Sequence, residues 1–236
     1  EIQTDAKVVG IAKKPEGGYM IETEQGAHYR SKTIIIASGG RHRHLGVPGE
    51  EKFAGKGVVY CSTCDAPFFR GKKVAVVGGG NAGLEAVEDL LPYANEIVLI
   101  VRSGELKGDP VTQEKVLASP KVSILYHTLV EEILGENTVI GIRIKNSETG
   151  ETETVDLGGV FVEIGMVPNT EFVKGLLDLN ERGEIILDHR TKATSQSGIF
   201  ATGDATDAPY KQNNISAGDG VAAALSAYDY LRKQRG

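Results

Sequence analysis

Two cysteines lie two residues apart, and they are the only cysteines in this 236-residue chain. The segment reads Cys61-Ser62-Thr63-Cys64, and Asp65 follows it directly. Cysteines at this spacing can close a small disulfide, and one thiol of such a pair often has a lowered pKa. Exchange with another disulfide then proceeds through a mixed disulfide. A neighbouring carboxyl could pass a proton to the leaving thiolate, although an aspartate here could equally cap a helix or lie in solvent. The pattern indicates dithiol–disulfide exchange.

Zinc coordination is the alternative use of this pair. His42 and His44 precede the cysteines, so a site of two cysteines and two histidines can be written. However, the chain has no second Cys-x-x-Cys, and the two histidines are closer together than those of zinc fingers. Arg41 and Arg43 interleave the histidines and would repel a divalent cation. Redox exchange is therefore the favoured interpretation, and no metal is expected.

A glycine loop follows the cysteine pair. Gly78, Gly80 and Gly83 form G-x-G-x-x-G between an apolar, β-branched run at 73–77 and a helical pattern at 84–91. A strand, this loop and a helix in that order are the context of a dinucleotide-binding site. The first glycine permits a tight turn, the second lets a pyrophosphate approach the backbone, and the third lets helix and strand pack closely. The free N–H groups at the start of the helix would then bind the phosphates.

The end of the second predicted strand, at 96–101, bears on the choice of nucleotide. An NAD site usually places Asp or Glu there to bind the ribose 2′-hydroxyl. This chain instead has Arg102, with Lys107 nearby. Their cationic groups could bind a 2′-phosphate, although both residue types are also common on solvated surfaces. The sequence favours NADPH, with NADH as the alternative.

Composition restricts the remaining classes of function. The formal net charge is −6 and there is no basic run, so nucleic acid is not an expected partner. No apolar stretch reaches the roughly 18 residues of a membrane helix, so no membrane is expected. Two cysteines are too few for the disulfide framework of a small secreted protein, which favours a reducing, cytoplasmic compartment.

Several motifs, in this order, resemble those of the low-molecular-weight thioredoxin reductases and the flavoprotein component of alkyl hydroperoxide reductase. They are segment 60–65, the glycine loop with Glu85, Ala201-Thr202-Gly203-Asp204, Tyr210-Lys211-Gln212 and a helical pattern at 216–231. The resemblance covers essentially the whole chain. It implies an α/β fold in which a Rossmann-type three-layer nucleotide-binding domain, residues 44–164, is inserted in a partial FAD-binding domain, residues 1–43 and 165–236.

The resemblance also implies a reaction: electrons pass from NADPH, or NADH, through FAD and a Cys61–Cys64 disulfide to a partner protein. That partner would be a thioredoxin-like or peroxiredoxin-system protein, and the enzyme would be a homodimer. Cys61 would be the exchanging thiol, Cys64 the thiol next to the flavin, and Asp65 the acid. The implied nucleotide-binding residues are Gly78, Gly80, Asn81, Gly83, Glu85, Arg102 and Lys107. The implied FAD-binding residues are Ser38, Gly39, Gly203, Asp204, Lys211, Gln212 and Asn213.

The sequence departs from the family pattern in several places. Ala66 and Asn213 stand where glycine and a small apolar residue are usual, and 101–103 is less basic than the family's cluster. The family also opens with an FAD-binding G-x-G-x-x-G unit, and none precedes Lys7. We therefore expect the chain to lack the first half of the flavin domain and to retain little FAD alone. The alternative function is that of a non-catalytic nucleotide-binding module whose Cys-x-x-Cys binds zinc or senses thiols.

Overall fold

The computed structural model describes residues 1–234 and divides into two compact units. The first unit consists of Glu1–Arg41 together with the chain from Met166 onward, and the second consists of His42–Gly165. The second unit is thus an insertion in the sequence of the first. No helix in the described part of the chain combines the length and apolar character needed to cross a membrane.

The strands of the described residues are β1 (Val8–Lys13), β2 (Tyr19–Thr23), β3 (His28–Ser31), β4 (Ile34–Ile36), β5 (Gly40–His42), β6 (Val58–Val59), β7 (Lys73–Val77), β8 (Glu96–Ile100), β9 (Val122–Leu125), β10 (Thr128–Gly135), β11 (Val139–Asn146), β12 (Thr152–Asp156), β13 (Val160–Val162), β14 (Met166–Pro168) and β15 (Ile199–Ala201). The helices are α1 (Ser62–Asp65), α2 (Asn81–Leu90), α3 (Pro110–Ala118) and α4 (Asn213–Lys233).

A five-stranded parallel sheet, in the order β6-β13-β7-β8-β9, forms the centre of the second unit. Parallel strands covered on both faces are expected to be apolar along their whole length. Val74, Ala75 and Val76 of β7 fit this rule, since none of them is exposed. The predicted α/β class, with a Rossmann-type parallel sheet, is therefore confirmed.

The two faces of this sheet have different covers. Helix α2 buries Leu84, Val87 and Leu90, which lie on one side of the helix, against one face. The antiparallel sheet β10-β11-β12 supplies Ile133 and Ile142 to the core on the other face. These three layers hold the carboxyl ends of β7, β8 and β13 at one edge, where ligands bind in open α/β sheets.

The first unit contains the antiparallel sheet β1-β2-β3 and a parallel pair, β4 with β15. Ile34 pairs with Ile199 and Ile36 with Ala201, so both strands end at the same edge. Helix α4 packs against β15 and buries Ala223 beside it.

One predicted element of the first unit is wrong. The sequence indicates a short strand at 185–188, but the structure has only single bridges there, from Ile185 and Asp188. The Asp188 carboxylate accepts a hydrogen bond from the backbone N–H of Arg190 at 2.9 Å. The turn that this contact closes begins only at the end of the predicted strand. Within the segment, the backbone N–H groups of 185–187 donate to separate partners at 178, 205 and 207, so no single neighbouring strand pairs with it.

Candidate functional site

Cys61 and Cys64 form a disulfide with a Cα–Cα distance of 5.4 Å, which confirms the predicted pairing. Cys61 is the extended residue that caps α1, and its sulfur accepts a hydrogen bond from the backbone N–H of Cys64 at 3.3 Å. Cys61 is half-buried, whereas Cys64 is exposed. The pair therefore lies on a short helical turn at the surface of its unit, where a second protein can reach it.

Asp65 ends this turn. Its backbone N–H donates to the carbonyl oxygen of Cys61 at 3.1 Å, which closes the turn around the disulfide. Burial raises the pKa of the Asp65 carboxyl above its ordinary value. A carboxyl with a raised pKa holds its proton at higher pH, a property suited to an acid beside a leaving thiolate.

The two residues between the cysteines are bound to α2, a contact that was not predicted from the sequence. The hydroxyls of Ser62 and Thr63 donate to Asp89 Oδ2 at 2.8 Å and 3.1 Å. Glu163, which directly follows β13, interacts with the Ser62 backbone N–H. Two carboxyls from distant parts of the sequence thus meet at the Cys-x-x-Cys turn.

The histidines of the zinc alternative have other partners. The ring of His42 stacks on Tyr60 with centroids 5.3 Å apart, and His44 Nδ1 lies 3.0 Å from the Tyr60 hydroxyl. Tyr60 donates in turn to Glu50 Oε1 at 3.0 Å. Burial and the hydrogen bond to Glu50 raise the pKa of Tyr60. Within residues 1–234, no group of three or more His, Cys, Asp or Glu side chains is arranged to hold a metal ion.

The glycine loop has the close packing that its pattern predicts. Gly78 has a φ of +141°, which side-chain-bearing residues rarely adopt, and a Cβ there would overlap the Glu163 carbonyl. A Cβ on Gly83 would overlap the carbonyl of Gly78, because α2 lies directly on the loop. By contrast, nothing lies within 4 Å of a Cβ built on Gly80, the residue before the first turn of α2. The space beside Gly80 is therefore open to a ligand.

A cavity of about 640 Å³ opens beside this loop. This volume is within the range of small-molecule sites. It is lined by Gly78, Gly79, Gly80, Asn81, Arg43, His44, Arg102, Lys107 and Glu163, among others. The backbone N–H of Lys107 donates to the Gly79 carbonyl at 2.8 Å, which fixes the segment after β8 next to the loop. Glu85 is exposed on α2 and does not line the cavity.

Arg102 and Lys107 are exposed at this cavity. Within the described part of the chain, no carboxylate forms an ion pair with either side chain. Asn81 has a structural contact, because its Oδ1 accepts the backbone N–H of Asp109 at 2.7 Å. The loop, the free N–H groups of α2 and two cations thus suit an anionic dinucleotide.

The flavin-binding residues implied by the sequence lie in the first unit, at the ends of β4 and β15. Ser38 and Gly39 follow β4, and Gly203 and Asp204 follow β15, so the register places both pairs at one sheet edge. Ser38 Oγ donates to the Asn169 carbonyl at 2.6 Å.

The remaining flavin-binding candidates surround the start of α4. Asp204 Oδ1 accepts the Ser216 hydroxyl of α4 at 3.3 Å. Lys211 Nζ pairs with Glu184 at 3.0 Å and also donates to the Thr206 carbonyl. Gln212 and Asn213 are exposed just before and at the first residue of α4. Their polar groups are available at that helix terminus for a ligand.

A sequence profile of the pyridine nucleotide-disulphide oxidoreductase family matches residues 1–224. The chain belongs to this family. Membership in the pyridine nucleotide-disulphide oxidoreductases implies use of a flavin and a nicotinamide nucleotide, and it agrees with the disulfide and the glycine loop. The resemblance inferred from the motifs is confirmed.

Relatives in this family carry several names. The chain is 47% identical over 213 residues to the NADH dehydrogenase of Bacillus subtilis, covering 90% of this chain and 42% of that protein. It is 42% identical over 231 residues to a component of the alkyl hydroperoxide reductase of Escherichia coli, covering 97% and 44%. The structure resembles the thioredoxin reductase of Streptococcus pyogenes with a TM-score of 0.90 at 36% identity, covering 97% of this chain and 74% of that one. The chain thus spans less than half the length of these two sequence relatives.

Proposed function

We propose that the protein is an NAD(P)H-dependent, FAD-containing protein-disulfide reductase of the thioredoxin-reductase type. One observation carries the proposal: the Cys61–Cys64 turn is hydrogen-bonded through Asp89 to α2, and α2 begins at the glycine loop. In this proposal a redox disulfide and a nucleotide site would share one helix. Bound FAD would take two electrons from the nicotinamide and deliver them to the disulfide.

The chain's own residues would form the nucleotide site and contribute one part of the FAD site. The backbone around Gly78 and Gly80 would bind the pyrophosphate of the nucleotide, with Asn81 and Gly83 shaping the loop and Arg102, Lys107 and Glu85 nearby. In the first unit the FAD contacts would be Ser38, Gly39, Gly203, Asp204, Lys211, Gln212 and Asn213. Their position at one sheet edge and at the start of α4 supports this assignment.

The reduced pair would transfer its electrons by two exchange steps. The Cys61 thiolate would attack one sulfur of the partner's disulfide, and the other partner sulfur would leave and take a proton, for which Asp65, with its raised pKa, is the candidate donor. The Cys64 thiolate then attacks the Cys61 sulfur, which restores the disulfide and releases the second partner thiol. The order rests on the family resemblance, and Cys64 is the more exposed residue of the two in this structure.

The acceptor would be a thioredoxin-like protein or a protein of a peroxiredoxin system, and the enzyme a cytoplasmic homodimer. The thioredoxin reductase and alkyl hydroperoxide reductase relatives support these acceptors. The test is a turnover assay of the FAD-loaded protein, with NADPH or NADH, against both acceptor classes. Turnover with either acceptor class supports the proposal, and nucleotide oxidation that never requires a disulfide contradicts it.

The disulfide should be reversible. Because Cys61 and Cys64 are bonded to each other, alkylation of the untreated protein should add no label, and alkylation after dithiothreitol should add two. Mass spectrometry counts the labels. Stoichiometric zinc in the untreated protein, found by metal analysis, would instead favour the zinc-bound module.

The nucleotide site should prefer NADPH. Arg102→Ala removes a cation that a 2′-phosphate can bind, so we expect about tenfold weaker binding of NADPH, the loss of one charge-assisted hydrogen bond. The affinity for NADH should change little. Titration calorimetry measures both affinities, and Arg143→Ala serves as the control because Arg143 pairs with Glu132 and does not line the cavity. An equal loss for both nucleotides, or a wild-type preference for NADH, would show that Arg102 does not select the phosphate.

A further inference from the structure

Two carboxyl groups hold the middle of the Cys-x-x-Cys turn. Asp89, in the last turn of α2, accepts the hydroxyl of Ser62 at 2.8 Å and that of Thr63 at 3.1 Å on a single oxygen. Ser62 and Thr63 are the only residues between the two cysteines. A backbone movement of this turn after reduction would therefore be resisted by Asp89.

Glu163 is the second carboxyl, and its environment is unusual. It follows β13 beside the glycine loop, and its backbone N–H donates to the Val77 carbonyl at 2.9 Å. Its side chain interacts with the Ser62 backbone N–H, yet its Oε1 is buried with no hydrogen-bond partner among the described residues. A buried carboxylate oxygen without a donor is costly, whereas the protonated acid carries no charge.

We propose that Asp89 and Glu163 are positioning residues for the disulfide exchange, with Asp89 fixing the turn and the charge on Glu163 setting the reactivity of the reduced thiols. This inference rests on the proposed function, in which the pair exchanges electrons. Neither residue is required to touch a substrate. Both act through Ser62 and Thr63, which connect the two cysteines.

The charges around Glu163 determine the sign of its effect. The pKa of Glu163 is raised to about 7, chiefly by burial and in smaller part by the charges of Asp89 and Glu85, while the Ser62 N–H acts in the opposite direction. The other charged or titratable side chains lining the same cavity are Arg43, His44, Arg102 and Lys107. Above this pKa Glu163 is negative and opposes the formation of a nearby thiolate, and below it Glu163 is neutral and exerts no such effect.

The first test compares Glu163→Gln with the wild type. The amide keeps an acceptor for the Ser62 N–H but cannot ionise. After reduction with dithiothreitol, the rate of alkylation by iodoacetamide reports the thiolate fraction. At about pH 6 the two proteins should react at similar rates, and at about pH 8 the variant should react about threefold faster, a fraction of one pKa unit.

The second test separates the charge of Asp89 from its hydrogen bonds. Asp89→Asn keeps an acceptor and removes the charge, so alkylation should be about threefold faster at both pH values. Asp89→Ala also removes the acceptor, and it should change the equilibrium of the pair with glutathione as well as the alkylation rate. Glu88→Gln is the matched control, since Glu88 pairs with Lys115 and not with the turn.

The outcomes distinguish this inference from the proposed function, because alkylation of the reduced protein requires no flavin, nucleotide or acceptor. A rate ratio for Glu163→Gln that rises between the two pH values supports the inference. If this rate ratio has the same value at both pH values, whether it equals one or exceeds one, the role of Glu163 is overturned. Asp89 variants that alkylate and equilibrate like Glu88→Gln overturn the role of Asp89. If the alkylation ratios are as expected but the wild-type protein shows no disulfide-reductase turnover, the result counts against the proposed function alone.

Discussion

Replacing either cysteine with serine should lower disulfide-reductase turnover of the FAD-loaded protein by at least about 10³-fold, because a hydroxyl does not replace a thiolate nucleophile. The affinity for nicotinamide nucleotide should stay at the wild-type value, since neither Cys61 nor Cys64 lines the cavity beside the glycine loop. Steady-state assays and titration calorimetry measure the two quantities. Substantial residual turnover in both variants would show that electrons reach the acceptor by another route.

The same two variants assign the roles of the two sulfurs. If Cys61 attacks the partner, Cys64→Ser should accumulate a mixed disulfide, because no second thiol remains to resolve it. Cys61→Ser should then form none. Non-reducing electrophoresis with the acceptor protein distinguishes the two variants. The opposite pattern would give the attack to Cys64, the more exposed cysteine, and would reverse the assignment that the family resemblance implies.

Two alanine substitutions in the glycine loop should affect different properties, one the stability of the second unit and the other its affinity for nucleotide. Gly83→Ala places a methyl group onto the Gly78 carbonyl, so the second unit should lose about 3 kcal/mol of unfolding free energy, as in overpacked cores. Gly80→Ala meets nothing within 4 Å, so its cost should be limited to the poorer capping of α2 by alanine, about 0.5–1 kcal/mol. That methyl group lies in the space open to a ligand, however, and should weaken nucleotide binding about tenfold or more.

Denaturant unfolding and nucleotide titration of both variants check this contrast. Gly10→Ala is the control, because it also meets nothing within 4 Å but lies in β1 of the first unit. A Gly80→Ala protein that binds nucleotide as tightly as the wild type would contradict the placement of a pyrophosphate at this loop. A fully stable Gly83→Ala protein would contradict the close packing of α2 on the loop.

Local patterns in the sequence were sufficient to predict the loop and its strands. The apolar run of β7, the glycines and the helical spacing of α2 are contiguous, so a short stretch of chain determines their arrangement. The disulfide was predictable for the same reason, because Cys61 and Cys64 are on one turn. The strand expected at 185–188 does not form because its backbone N–H groups donate to separate partners at 178, 205 and 207, and the sequence does not reveal these long-range contacts.

Contacts that join distant segments could not be predicted. Glu163 reaches the Cys-x-x-Cys turn because β13 pairs between β6 and β7, and a sequence of one protein does not reveal that strand order. Asp89 reads as an ordinary polar position on α2 until α1 is seen packed beside it. The sequence offers His42 and His44 as zinc ligands because it does not reveal their contacts with Tyr60. Those contacts depend on a loop folded around the buried Glu50.

Anaerobic reduction of the FAD-loaded protein by NADPH tests the electron path most directly. After two molar equivalents of NADPH, or of NADH in a parallel sample, the protein is quenched with iodoacetamide and the labelled residues are identified by mass spectrometry. In the proposed path one equivalent of nicotinamide reduces the flavin and a second reduces the disulfide. Oxidation of the second equivalent should therefore yield two labelled thiols, at Cys61 and Cys64. Oxidation of an excess of nucleotide with both cysteines still unlabelled would contradict it.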